Sequence, residues 1–308
     1  MKERIRIGTR GSLLAVTQSG WVGRRIEQQH PDVEVELVKI TTKGDKILDV
    51  PLAKVGGKGL FVKELEDALL EGRVDLAVHS MKDVPAELPA GLELAVVPER
   101  EDPRDAFVAT RYAELAVLPV GARVGTSSLR RKAQLAALRP DLVIEDLRGN
   151  LDTRLRKLDD GVYDAIVLAA AGLRRLGLAQ RISALFSPEQ MLPAIGQGAL
   201  GIELREADQG LHQRLAFLHH PATAVAVTAE RACLLRLEGG CQVPIGAHAE
   251  VLGEMLHITG LVASLDGRRL VREELSGPLA EAASMGTALA ERILARGGGA
   301  ILQEVYCA

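Results

Sequence analysis

Short apolar runs alternate with helical patterns along the first third of the chain. Residues 4–8 read as a strand, and Ser12 is placed to cap a helix that runs to about residue 29. Residues 33–40 alternate apolar and charged positions, which predicts a strand with one wetter face. The pattern predicts a helix over 60–70 and strands over 74–78 and 92–97. Strands alternating with helices imply a largely parallel α/β sheet. The stretch P-E-R-E-D-P-R-D at 98–105, charged and holding two prolines, reads as a hinge. Beyond it the pattern starts again, with strands at 122–125, 142–145 and 165–168 and helices at 128–138 and 151–158.

The two stretches resemble each other. Ile7-Gly8-Thr9 leads to Ser12 and a helix, and Val124-Gly125-Thr126 leads to Ser128 and a helix. An acidic residue precedes an apolar strand in both Val74-Asp75-Leu76 and Tyr163-Asp164-Ala165. Two similar α/β lobes facing a cleft are therefore expected. A third region begins near Pro221 with a helix over 222–237, strands over 247–252, 256–265 and 269–275, and a late helix around 280–295. That order predicts a small α+β domain.

The length of 308 residues suits two or three such domains. Aromatic residues are only 3%, which argues against a stacking platform for nucleic acid. The formal net charge of −3 conceals a bias, because of 38 cationic residues only 10 are Lys, leaving 28 Arg. A GC-rich genome accounts for such a bias as readily as function does, unless the arginines occupy special places. The N-terminus M-K-E-R-I-R-I-G lacks the apolar core of a signal peptide, and no apolar run reaches the roughly 18 residues of a membrane span. Cys233, Cys241 and Cys307 form no C-x-x-C pair, so neither a disulfide framework nor a metal site is expected, and the chain reads as cytoplasmic.

The arginines do fall at special places. The turns G-T-R-G-S at 8–12 and G-T-S-S-L-R-R-K at 125–132 present free N–H groups at a helix start, and Arg10, Arg130 and Arg131 add full charges there. Arg148, Arg154 and the pair Arg174 and Arg175 follow at further strand ends. The pattern predicts a ligand with several carboxylates or phosphates; capping turns with solvated arginines are the plainer alternative. H-S-M-K-D-V-P at 79–85 follows a short strand, where an ionised Asp83 can steady a cation or relay protons. A surface ion pair with Lys82 and a structural His79 are the plainer readings there. K-V-G-G-K-G-L-F at 54–61 reads as a lid whose Lys54 and Lys58 reach anions, or as a plain loop. G-G-C-Q-V-P places Cys241 on an exposed turn, where a thiol is more often reactive or modified than structural.

These motifs continue in order with G-G-K-G-L-F-V-K-E-L-E, L-R-G-N-L-D-T-R-L, D-A-I-V-L-A-A-A-G-L-R-R-L-G and L-P-A-I-G-Q-G-A-L-G-I-E. Their ordered combination closely resembles the porphobilinogen deaminase (hydroxymethylbilane synthase) family over nearly the whole chain. The resemblance implies two lobes like those of type II periplasmic binding proteins plus a small C-terminal α+β domain. Residues 1–98 with 199–216 form the first lobe, 104–193 the second and 221–308 the third domain, the chain crossing back after about residue 198. It implies a transferase of tetrapyrrole and haem biosynthesis. That enzyme joins four porphobilinogen molecules head to tail, releasing ammonia each time, and water then frees hydroxymethylbilane. A dipyrromethane cofactor held by a thioether to Cys241 primes the chain. On matching positions, Asp83 is catalytic, and Arg10, Arg130, Arg131, Arg148, Arg154 and Arg175 bind the carboxylates of cofactor and substrate. Ser12, Ser80, Lys82, Thr126 and Ser128 make smaller polar contacts, Lys58 and Phe61 belong to the lid, and Gln197 is a further active-site residue. A cytoplasmic monomer without metal or nucleic acid is implied. A two-lobed small-anion binding protein is the alternative, but it has no use for Cys241. A phosphate-handling enzyme would show a G-x-x-x-x-G-K-[ST] loop, which this chain lacks.

Overall fold

The computed structural model describes residues 3–46, 59–238 and 243–307. The chain divides into two compact units, Met1–Arg100 with Ala199–Ala224, and Glu101–Gly198 with Val225–Ala308.

The first unit contains β1 (Glu3–Thr9), α1 (Leu13–Gln29), β2 (Val33–Lys39), α2 (Lys63–Leu70), β3 (Leu76–Ser80) and β4 (Leu92–Val96). The returning chain adds β10 (Leu200–Arg205), and the sheet order is β2-β1-β3-β10-β4. Ser12 caps α1 as expected, its hydroxyl accepting the Ala15 N–H at 3.3 Å. Val22 and Ile26 of that helix bury against Ile5, Ile7, Leu76 and Ile202 of the sheet. On α2, Leu65 and Leu69 pack with Val74 and Ala77.

The second unit contains β5 (Asp105–Ala109), β6 (Arg123–Gly125), α3 (Leu129–Leu138), β7 (Val143–Glu145), α4 (Leu151–Asp159), β8 (Ala165–Ala169), α5 (Ala170–Arg175) and β9 (Ala184–Leu185). Its sheet runs β7-β6-β8-β5-β9. After the helix Pro221–Arg236 comes an antiparallel meander of β11 (Ile245–Leu252), β12 (Met255–Ala263) and β13 (Leu270–Pro278). The helices Ala282–Ile293 and Gly299–Cys307 close the chain. Cys233, Ala247, Ile258, Leu289 and Ile293 share one core there.

The internal repeat is a repeat of structure. Gly8 pairs with Ala77 in the first sheet, and Gly125 pairs with Ile166 in the second. Asp75 accepts the Arg6 N–H at 2.7 Å and returns its own N–H to the Arg6 carbonyl at 2.8 Å. Asp164 does the same with Arg123, at 2.9 Å each way. The acidic residue noticed before each strand is thus a clasp that starts a parallel pairing. A Cβ at Gly125 would press on Tyr163 and Ile166 at 3.0 and 3.1 Å, so the strand needs glycine to lie this close.

In each sheet four strands run in one direction, as expected, and one opposes them. β10 runs antiparallel to β3 and β4, and β5 runs antiparallel to β8 and β9. In each sheet the antiparallel strand is the first one after the chain passes from one unit to the other, which no local pattern reveals. Both strands escaped the periodicity. β5 is a short run, D-A-F-V-A, buried without alternation at the end of the presumed hinge. The A-A-A-G run before Arg174 ends β8 at Ala169 and supplies the first turn of α5.

Candidate active site

In the first unit, Ser80 ends the central strand β3 and a 3₁₀ turn, Met81–Asp83, follows. Met81 and Val84 are buried on either side of the turn, and the Met81 N–H bonds the Ala199 carbonyl at 3.0 Å. These anchors leave Asp83 half-buried in the wall of a pocket. Arg10, Ser12, Gln18, Phe61 and Ser80 line the same pocket. The Arg10 guanidinium lies 4.3 Å from the centre of the Phe61 ring and bonds Asp45 at 2.5 Å. Burial raises the Asp45 carboxyl, but the hydrogen bond and charge of Arg10 outweigh it and hold Asp45 below its ordinary range. Gln18 donates to Ser80 at 3.2 Å. Asp45 and Gln18 were not singled out as site residues from sequence, although Asp45 belongs to a G-D pair that the family resemblance includes and Gln18 lies one helical turn after Leu14, which lines the same pocket.

His79 also reaches this pocket, and its Nε2 sits 2.8 Å from Glu203. Glu66 of α2 is buried nearby and is pushed up to about 7, first by burial and then by the charge of Glu203. The folded chain therefore holds this proton more tightly than the unfolded chain does. The stabilisation is full below the ordinary value of about 4.3 and is lost as pH rises through 7. Glu66→Gln keeps the neutral form at every pH. It is expected to unfold at higher urea than the parent near pH 8.5, by about 1–3 kcal/mol, and to match it near pH 4.5. Equal urea midpoints at both pH values would overturn this account.

In the second unit, Ser128 caps α3, accepting from the Arg131 N–H at 3.5 Å, and Thr126 accepts from the Ser128 N–H at 3.3 Å. Arg130 and Arg131 turn inward and are almost wholly buried. Both bind Asp105, each at 2.7 Å. Arg130 also donates to the Leu192 carbonyl at 2.7 Å and Arg131 to the Val167 carbonyl at 3.0 Å. Gln197 donates to Asp105 at 3.0 Å and to the Pro103 carbonyl at 2.7 Å. Burial opposes ionisation of Asp105, yet the two guanidinium charges hold it far below the usual carboxylate range. The Nε of Arg130 is buried without a hydrogen-bond partner.

Arg174 and Arg175 divide. Arg174 is exposed and pairs with Asp102 at 2.9 Å. Arg175 turns inward, donates to the Gly198 carbonyl at 2.6 Å and is pushed down to about 10 by burial. Gly198 has φ +88°, and a Cβ there would strike the Glu101 carbonyl oxygen, so glycine alone presents this carbonyl. Arg154 donates to the Gly149 carbonyl at 2.8 Å, and Arg148 precedes that glycine. Lys82 lies half-buried beside Asp83. Cys241 and Lys58 lie outside the described residues. Among the described residues, no group of three or more His, Cys, Asp or Glu could hold a metal ion, and no helix is long and apolar enough to cross a membrane.

Two α/β lobes of one design carry arginines at helix starts, and the first has a carboxylate turn beside a pocket of mixed polar and apolar lining. The family model "Porphobilinogen deaminase, dipyromethane cofactor binding domain" matches residues 5–213, and "Porphobilinogen deaminase, C-terminal domain" matches 224–295. The chain belongs to the porphobilinogen deaminase family. The porphobilinogen deaminase of Pelobacter propionicus is 57% identical over 98% of this chain and 97% of its own. That of Geobacter metallireducens is 58% identical over 99% and 95%. A nutrient binding protein from Burkholderia cenocepacia, solved bound to methionine, is 15% identical with a TM-score of 0.43 over 69% of this chain and 90% of that chain. This last likeness is too remote to bear on the site. The chain is an enzyme of its family, a transferase that makes hydroxymethylbilane from porphobilinogen on a dipyrromethane cofactor.

Proposed function

We propose that Asp83 performs the acid–base work of this reaction and that the inward-turned arginines hold its carboxylates. The observation that carries the reading is the sharing of one pocket by Asp83, Arg10 and Phe61. Each porphobilinogen brings an acetate and a propionate, which suit guanidinium forks. Its departing ammonia leaves a cationic carbon, which an ionised Asp83 stabilises. One proton passes to the leaving amine and one returns from the pyrrole carbon that forms the new bond, so ammonia is the net by-product and Asp83 ends each cycle as it began. Phe61 offers an apolar face to a pyrrole ring. The dipyrromethane, linked through Cys241, supplies the nucleophilic pyrrole that starts the chain. A polycarboxylate fits the residues present, because Arg130 and Arg131 together exceed the charge of Asp105 and Arg130 keeps an unpartnered N–H.

In the second unit the reading gives Arg148, Arg154 and Arg175 the same carboxylate-binding role, with Thr126, Ser128 and Gln197 as smaller contacts, and in the first unit it gives that smaller role to Ser12, Ser80 and Lys82; Lys58, outside the described residues, is kept as a lid residue by the family resemblance alone. The reading takes residues 1–98 with 199–216, 104–193 and 221–308 as three domains of a cytoplasmic monomer. The test is stoichiometric. Purified enzyme supplied with porphobilinogen is expected to release one ammonia per molecule consumed and four per hydroxymethylbilane formed. Binding of porphobilinogen without ammonia release would favour the small-anion binding protein instead.

A further inference from the structure

The second unit contains a charged cluster that the reaction as described does not explain. Asp105 opens β5 with its side chain fully buried. Its two oxygens accept from Arg130, Arg131 and Gln197. One carboxylate (−1) faces two guanidinium groups (+2), so the cluster carries a net +1. The charges of Arg130 and Arg131 are the leading causes that hold Asp105 ionised against its burial. Arginines meant only to catch external carboxylates would gain nothing from an internal competitor for their N–H groups. A buried competitor does two things: it fixes the direction of both forks, and it removes half of their charge.

We propose that Asp105 is a positioning residue for chain elongation, an internal carboxylate that aims Arg130 and Arg131 and limits how tightly they hold the carboxylates of the growing pyrrole chain. The inference rests on the carboxylate-holding role given to these arginines above. Each added pyrrole brings two more carboxylates, and the earlier ones must shift along as the chain lengthens. A cluster of charge +2 in a buried, low-dielectric setting would hold a carboxylate too firmly to let it move. At charge zero it would hold none. Asp105 sets the intermediate value. It also holds Gln197 by its amide, which couples the Pro103 and Gln197 segments to the forks.

The charge can be varied stepwise in the cofactor-loaded enzyme. Asp105→Asn gives +2, the parent +1, Arg130→Gln zero, and the double variant Asp105→Asn/Arg130→Gln returns to +1. Intact mass during turnover with porphobilinogen reports which partly extended chains persist, and steady-state assays report kcat and KM separately. Asp105→Asn is expected to accumulate enzyme carrying extended chains, with kcat lowered about ten-fold or more and KM not raised. Arg130→Gln is expected to raise KM and lose extended chains early. The double variant is expected to recover retention and kcat to within about three-fold of the parent.

A double variant as defective as Arg130→Gln would overturn the inference, as would Asp105→Asn with parental kcat. A loss of activity tracking only a lower melting temperature, with no change in the intermediates, would mark Asp105 as structural and overturn it too. If Asp105→Asn does not fold, the comparison of the double variant with Arg130→Gln decides the matter, since Arg130→Gln keeps the Asp105–Arg131 pair and the double variant buries a single guanidinium instead of two. Normal KM and normal intermediates in Arg130→Gln would instead remove the underlying role of the arginines.

Discussion

Asp83→Ala is expected to keep its covalently bound cofactor and to lose turnover by about 10²–10⁴-fold, the usual contribution of a positioned acid–base group. The side chain sits on a turn whose neighbours Met81 and Val84 supply the buried contacts. Removing the half-buried carboxylate therefore leaves those anchors in place and should cost little stability. Intact mass and a melting curve check that cofactor and fold persist, and ammonia release measures the chemistry. Asp83→Glu keeps the charge but moves it by one methylene, and an intermediate rate is expected. Parental turnover in Asp83→Ala would remove the residue from catalysis and leave Arg10 as the principal charged group of its pocket.

Cys241→Ser is expected to lack the mass increment of two linked pyrroles that the parent carries, and to have almost no activity. A hydroxyl in place of the thiol is a far weaker nucleophile and does not form a thioether. Cys233 cannot substitute. It is fully buried, and burial, aided by the charge of Glu230, pushes its thiol up to about 12, so the reactive thiolate is absent at neutral pH. Cys233→Ala should accordingly retain the increment. An increment that survives in Cys241→Ser would place the attachment elsewhere and undo the assignment of the G-G-C-Q-V-P turn.

Much of the candidate site was legible because it is local. Ser12 and Ser128 announce helix starts, and the residues around them are constrained by the N–H groups left free there. Arg10, Arg130 and Arg131 follow by position. The clasps of Asp75 and Asp164 were visible as acidic residues before apolar strands. Asp45, Gln18, Asp105 and Glu66 were not legible as functional, because each takes its meaning from a partner distant in sequence or on another element. Asp105 looked like the end of a charged hinge. Only its burial between Arg130 and Arg131 shows it as the centre of a network.

What the sequence alone determined is the succession of elements, the internal repeat, the family and the residue types for a polycarboxylate chemistry. Periodicity, caps and ordered motifs are properties of neighbouring residues, so they survive without coordinates. What only the tertiary structure decided is the direction of strands and of charge. β5 and β10, each the first strand after the chain changes unit, join their sheets antiparallel, and Arg175 turns inward where Arg174 does not. Arg130 and Arg131 are half neutralised by a carboxylate about 25 residues away. Such outcomes depend on loop closure and on burial. Burial changes the strength of a charge interaction several-fold without altering a single residue.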